Sequence, residues 1–357
     1  MFLHDLAGRG LPQVVPAGIK PEEWPEQRNK IIELFGREVY GLSPPTPQIG
    51  FEVESGNKRD WAGKAEYRRI KLGFAAAKGD FSFPVDIVLP ESAKKLPLVI
   101  YISFTPYLQG PYVPFEEIVD SRYALAMFYY NDVSKDEDDG FASGLGAVYE
   151  RDDSDGTAWG KISMWAWAAS RVMDFAQGME EIDSDRIYCV GHSRLGKTAL
   201  WCAAQDTRFA GAGVNNSGCG GVAVSRGKQG ESIANIVERF PFWFCKNFHK
   251  YAGREEHTPF EQSMLASMIA PRPLAVSNAV EDTWCDPMSE YMSLWEASKA
   301  YEFLGVPGFL APAAYPLPGQ VFADGRLGFN LRSGTHFLSR HDWLFYLNFF
   351  NNKSNIL

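Results

Sequence analysis

Apolar residues recur at two spacings along this chain, and the alternation between them is the first structural signal. In the segment from Pro21 to Gly41, Trp24, Ile31, Ile32, Phe35 and Val39 fall near helical spacing. Gly41 and the prolines at 44 and 45 end that pattern, so a helical segment is predicted at about 20–42. Strand-like stretches follow at Tyr67 to Phe74 and Phe81 to Leu89. Two short apolar runs bounded by turn residues, Leu96 to Phe104 and Tyr123 to Tyr130, read as strands buried on both faces. Trp159 to Gln177 returns to helical spacing, with Trp165, Ala169, Val172 and Ala176 along one stripe. Arg186 to Val190 and Pro273 to Val280 read as further strands, and the run from His341 to Phe350 as a last helix. There are no internal repeats and no low-complexity tract. Alternation of this kind predicts an α/β fold: a mostly parallel central sheet with helices on both faces, a three-layer sandwich.

Between Tyr130 and Trp159 the pattern is interrupted by a loop rich in Asp and Gly. It reads as a solvated surface insertion. The alternative of a calcium loop lacks the EF-hand spacing.

Composition narrows the function classes. The 357 residues are 45% hydrophobic and 22% charged, and we expect one elaborated α/β domain over 1–357. The net charge of −9 comes from interspersed acids and bases, which argues against nucleic acid as a partner. No stretch reaches the ~18 apolar residues of a membrane span. The first residues lack a basic region followed by an apolar one, so no secretory signal is recognisable. The five cysteines form no CxxC pair, and no metal site is expected. Cys189 reads as a small buried hydrophobe. If the protein is exported, a Cys219–Cys245 bridge is an option.

The chemistry-bearing signal is the passage from Arg186 through Gly191-His192-Ser193-Arg194-Leu195-Gly196-Lys197 to Trp201. An apolar strand runs directly into Gly-x-Ser and a helix begins at once. Such a nucleophile elbow exposes the serine above the sheet of an α/β-hydrolase fold, with helical N–H groups aimed at a developing oxyanion. The usual esterase pattern has glycine two residues after the serine. Here Leu195 occupies that position and the glycine comes at 196. A plain strand-to-helix turn is the competing reading. A base and an orienting acid should follow in the order Ser, Asp/Glu, His. Of six histidines, His336 ends a short apolar stretch in a Gly-containing loop, where a catalytic histidine would be delivered. His341 reads as a capping or surface residue. After the Pro273–Val280 strand, Glu281, Asp282 and Asp286 compete for the acid's role, and Asp286 before Pro287 also suits a turn.

Gly191 to Lys197 resembles the Gly-x-Ser-Arg-x-Gly-Lys signature of the glucuronoyl esterases, carbohydrate esterase family 15. The similarity continues through Ala204 to Gly221, Gly230-Glu231-Ser232, Phe240 to Cys245 and Met264 to Leu274. It resumes at Glu281 to Trp284, Asp286-Pro287, Arg332 to His336 and Asp342-Trp343. The paired strands before Leu96 are similar to the antiparallel start of large α/β hydrolases.

The resemblance implies a carboxylic ester hydrolase acting without cofactors. Its substrate would be an ester of (4-O-methyl-)glucuronic acid in glucuronoxylan or a lignin–carbohydrate linkage. Ser193 would be the nucleophile, His336 the base, and Arg194 the oxyanion group. Lys197, Glu231 and Trp284 would contact the sugar. Asn216 stands where fungal members carry their acidic residue and cannot serve as the anion. Bacterial members often place an aspartate after the penultimate strand with tryptophan two residues on, and Asp282-Thr283-Trp284 is similar to that arrangement. The resemblance thus favours Asp282 and a bacterial-type enzyme, secreted or periplasmic with a cytoplasmic location as the alternative, and we expect a monomer. The competing structural roles are surface charge for Arg194 and Lys197, a helix-terminal carboxylate for Glu231, and core packing for Trp284.

Overall fold

The computed structural model describes residues 1–91 and 94–354. Ten strands form one sheet among the described residues: β1 (Ile49–Asp60), β2 (Ala65–Ala76), β3 (Gly79–Pro90), β4 (Leu96–Ser103), β5 (Ala124–Tyr129), β6 (Ile182–His192), β7 (Gly211–Asn215), β8 (Leu274–Ala279), β9 (Val321–Phe322) and β10 (Leu327–Arg332). Their spatial order is β1-β2-β3-β5-β4-β6-β7-β8-β10-β9. The run from β5 to β10 is parallel. The first three strands and the β9 edge are antiparallel to their neighbours.

Side-chain alternation explains the layering. Every residue of β4 is buried. Leu98, Ile100 and Ile102 pack into one apolar cluster with the helices Trp24–Phe35, Lys161–Ala176, Arg194–Gln205 and Pro287–Phe303. Val99 and Tyr101 point to the other face and join Phe115 and Ile118 and the C-terminal helix residues Trp343, Tyr346 and Phe350. Successive Cβ atoms alternate across a strand, so a continuous apolar run feeds both cores at once.

The expected helix at about 20–42 is a short 3-10 turn at Pro21–Glu23, the α-helix Trp24–Phe35 and a π-turn at Gly36–Tyr40. Three strands escaped the pattern. β1 is mostly exposed and polar, so its apolar alternation is faint. β7 consists of five residues, three of them Gly or Ala, and β9 of two. Cys219 and Cys245 are free buried thiols, so the bridge considered for them is not formed.

The Asp/Gly-rich loop is not a purely solvated insertion. Lys161, fully buried, donates to the carbonyls of Lys135 (2.5 Å) and Glu137 (2.5 Å) and to Asp139 (2.7 Å). Trp165 Nε1 donates to Ser134 O at 2.8 Å. One buried ammonium and one indole thus fold residues 134–139 back onto the helix Lys161–Ala176.

Candidate active site

The centre of the site is the junction of β6 with the helix Arg194–Gln205. Ser193 has φ 56° and ψ −127°, a left-handed conformation that costs a non-glycine residue about 1–3 kcal/mol. The neighbouring backbone is correspondingly close. A Cβ on Gly191 would lie 2.0 Å from Leu195 O, and one on Gly196 would lie 3.1 Å from Asn215 O. Glycine at 196 eases the tight approach of the helix to β7, while Leu195 is fully buried in the core. That burial contributes roughly 2 kcal/mol, and it accounts physically for the displaced glycine. Ser193 N donates to Asn215 O at 2.8 Å, tying the elbow to β7. The first N–H groups of the helix, at Arg194 and Leu195, lie beyond intrahelical bonding and face the terminus that carries partial positive charge.

The loops after β8 and β10 bring the histidine and its carboxylate together. His336 Nδ1 lies 2.6 Å from Asp282 Oδ2. Of the three competing acids, Asp282 alone makes this contact. Glu281 is exposed, and Asp286 caps the helix Pro287–Phe303 through Ser289 N at 3.2 Å. Burial tends to raise the Asp282 carboxyl, but hydrogen bonds from His336 and Asn216 outweigh it and hold the group at about 2. Asn216 donates through Nδ2 to Asp282 Oδ2. The side chain that cannot be the anion instead binds the anion.

Two buried carboxylates hold these loops in place. Glu290 accepts from Ser217 Oγ (2.9 Å), Gly218 N (2.5 Å) and Asn278 Nδ2 (3.0 Å), fixing the turn that carries Asn216. Asp342 pairs with Arg332 at 2.9 Å, and Arg332 Nη2 donates to Thr335 O at 3.2 Å, closing the loop that delivers His336. His341 is exposed at the start of the last helix.

His192 does not compete as a base. Its ring is buried 4.5 Å from that of His336, and Nδ1 lies 2.6 Å from Asn215 Oδ1. Asn215 Nδ2 donates to Ser277 O, so its Oδ1 faces His192 and the network assigns the proton to His192 Nδ1. Burial, with the His336 charge adding to it, pushes this imidazole down to about 3.

Arg194 is not a free surface charge. It pairs with Asp136, which is 6% exposed and also accepts from Trp243 Nε1 (2.6 Å) and Tyr130 OH (3.1 Å). The guanidinium lies 4.5 Å from the Trp243 ring centroid, and its buried Nε has no acceptor among the described residues. Sequence reasoning missed Asp136, because nothing distinguishes it among the many acids of its loop.

Lys197, Glu231 and Trp284 form a chain. Lys197 Nζ donates to Ser217 O (2.7 Å) and lies 3.3 Å from Glu231 Oε2. Trp284 Nε1 donates to Glu231 Oε1 at 3.3 Å. Lys197 and Glu231 are buried, whereas Trp284 is 43% exposed, which excludes core packing for the indole. Glu231 N donates to Trp284 O at 2.9 Å, and a Cβ on Gly230 would sit 2.5 Å from Thr283 O, so glycine lets the two loops meet. The helix beginning at Ile233 is capped by Ser232, not by Glu231.

Similarity to known proteins agrees with this architecture. A family described as "Glucuronyl esterase, fungi" matches residues 74–305. The carbohydrate esterase MZ0003, from an unknown prokaryotic organism, is 31% identical over 95% of this chain and 88% of its own length. A 4-O-methyl-glucuronoyl methylesterase of Podospora anserina is 28% identical over 79% of this chain and 57% of its own. The solved glucuronoyl esterase from Solibacter usitatus superposes with a TM-score of 0.86 at 30% identity, over 96% of this chain and 97% of that one. The elbow's resemblance is borne out along with the α/β-hydrolase fold, and the chain belongs to the glucuronoyl esterase family of carboxylic ester hydrolases, carbohydrate esterase family 15.

Proposed function

We propose that Ser193 attacks the carbonyl of a (4-O-methyl-)glucuronic acid ester while His336 takes its proton through Nε2. Asp282 holds the imidazole with Nδ1 protonated, leaving Nε2 as the acceptor. The Arg194 guanidinium and backbone N–H hold the oxyanion, a donor set worth about 3–4 kcal/mol per donor removed. His336 then protonates the leaving alcohol, and water releases the glucuronoyl group from Ser193. Protons pass from Ser193 through His336 to the leaving alcohol in the first half-reaction and from water through His336 back to Ser193 in the second, and no cofactor is required.

The observation that carries the substrate class is the Trp284–Glu231–Lys197 chain. A buried acid between a buried ammonium and a half-exposed indole offers donors and acceptors for sugar hydroxyls and a face for the ring. The exposed Trp284 and His336 leave the site open to a polymer, which supports glucuronoxylan esters and lignin-linked glucuronate as substrates. Such polymers lie outside cells, so we read the enzyme as exported. The elbow at the end of β6 and the loops after β8 and β10 belong to one sheet, which supports reading the chain as one catalytic domain.

Benzyl or methyl glucuronate assayed against acetylated xylan tests the substrate class. Preference for the glucuronate ester is expected; strong preference for the acetyl substrate would overturn the reading in favour of a xylan deacetylase.

A further inference from the structure

The proposed mechanism leaves one buried nucleophile beside the triad unused. Cys285 follows Asp282 by three residues and is 4% exposed. Its Sγ lies 3.6 Å from His336 Nδ1 and 3.2 Å from Asn216 O, and its backbone N–H donates to Asp282 Oδ1 at 3.4 Å. Cys285 Sγ, His336 Nδ1 and an Asp282 oxygen all lie within 4.8 Å of one another.

We propose that Cys285, His336 and Asp282 form a three-ligand site for a thiophilic divalent cation such as Zn²⁺ or Cd²⁺, and that filling it switches the esterase off. The inhibitory half of this statement rests on the reading of His336 as the base.

Geometry favours such an ion. With Zn–S about 2.3 Å and Zn–N about 2.0–2.1 Å, tetrahedral coordination places sulfur and nitrogen about 3.6 Å apart, the separation found here. Nitrogen and carboxylate oxygen would open from 2.6 Å to about 3.3 Å, a small movement of a side chain on a loop. Charge also balances, because one thiolate and one carboxylate neutralise a divalent ion and leave a neutral group in a largely buried place. Burial and the adjacent Asp282 charge keep the thiol protonated at neutral pH. That same negative charge attracts a cation able to replace the proton. A thiolate ligand selects zinc and cadmium over magnesium and calcium, which prefer oxygen.

The proton inventory explains the inhibition. On binding, the Cys285 S–H bond breaks, a metal–sulfur bond forms, and that proton passes to solvent. The metal takes Nδ1 of His336, so the imidazole proton moves to Nε2. Nε2 then donates and can no longer accept the Ser193 proton, while the Asp282 oxygen that oriented the ring binds the metal. No redox step is involved.

The test titrates wild type, Cys285→Ala and Ser193→Ala with Cd²⁺ in a non-chelating buffer. It reads the ultraviolet thiolate-to-metal absorption and, for the first two, hydrolysis of a glucuronate ester. Wild type and Ser193→Ala should gain the band at one ion per chain. Wild-type activity should fall about tenfold or more at saturation and return with chelator. Cys285→Ala should hydrolyse the ester without cadmium, gain no band and resist inhibition, and Mg²⁺ should leave wild type unaffected. No band in wild type, or equal inhibition of Cys285→Ala, would overturn the metal site. A band with undiminished hydrolysis would overturn the role of His336 as base.

Discussion

At the scale of single side chains, the contact between Asn216 and Asp282 sets the proposed acid in place. Asn216 donates to Asp282 Oδ2, the oxygen that also faces His336 Nδ1. Replacing Asp282 with Asn removes the charge and reverses the donor at that contact. We expect kcat on a glucuronate ester to fall about 10³–10⁴-fold with KM little changed. Asn216→Glu should not recover the loss in the Asp282→Asn background. Near-full activity of Asp282→Asn would refute the assignment. Trp284 acts at the same scale but on binding. Because it is half-exposed, Trp284→Ala should leave the melting temperature nearly unaltered. It should raise KM for glucuronate esters by about tenfold, the equivalent of roughly 1.4 kcal/mol. A change confined to kcat would count against sugar contact.

At the scale of elements, the loop 134–139 behaves as part of the site. It carries Asp136 to Arg194, and the buried Lys161 ammonium holds it through two carbonyls and Asp139. Removing one partner of a buried charge pair is expensive, about 3–5 kcal/mol. Lys161→Met should therefore loosen this loop locally, expose it to proteolytic cleavage between 134 and 148, and lower kcat more than KM as Arg194 loses its support. Limited proteolysis beside steady-state kinetics would show both effects together. The parallel strands β4, β5 and β8 were legible in the sequence because strands covered on both faces carry unbroken apolar runs. β1 and β7 were not, one being polar and exposed and the other built of small residues. The loop's role was hidden for a related reason. A run of acids looks solvated until the buried partners, which come from distant segments, are known.

For the whole molecule, the buried charges and the neutral His192 set the response to pH. His192 is held down at about 3 in the folded chain, against an ordinary value near 6.5 when unfolded. Between those values the unfolded state binds the extra proton. This contribution to stability is thus fully present above about pH 6.5 and is lost as pH falls towards 3, at up to ~1.4 kcal/mol per pH unit. Urea unfolding at stepped pH should show the slope in wild type and a flatter profile in His192→Gln; parallel profiles would refute the buried neutral imidazole. The same molecular view shows what the chain's pattern could supply. The elbow, the acid and base candidates and the residues Lys197, Glu231 and Trp284 were nominated from short motifs and the family resemblance, and the fold sets the elbow at the end of β6, Asp282 after β8 and His336 after β10. The partners that hold them, Asp136, Glu290 and Asn215 among them, carry no motif, because a buried polar group is defined by what surrounds it in space.

The central claim is covalent: Ser193 carries the glucuronoyl group between two half-reactions. Rapid acid quenching during turnover of benzyl glucuronate, followed by peptide mass spectrometry, reads it directly. A glucuronoyl adduct is expected on the peptide containing Ser193, absent together with turnover in Ser193→Ala. Sustained hydrolysis by Ser193→Ala, or an adduct on another residue, would contradict it.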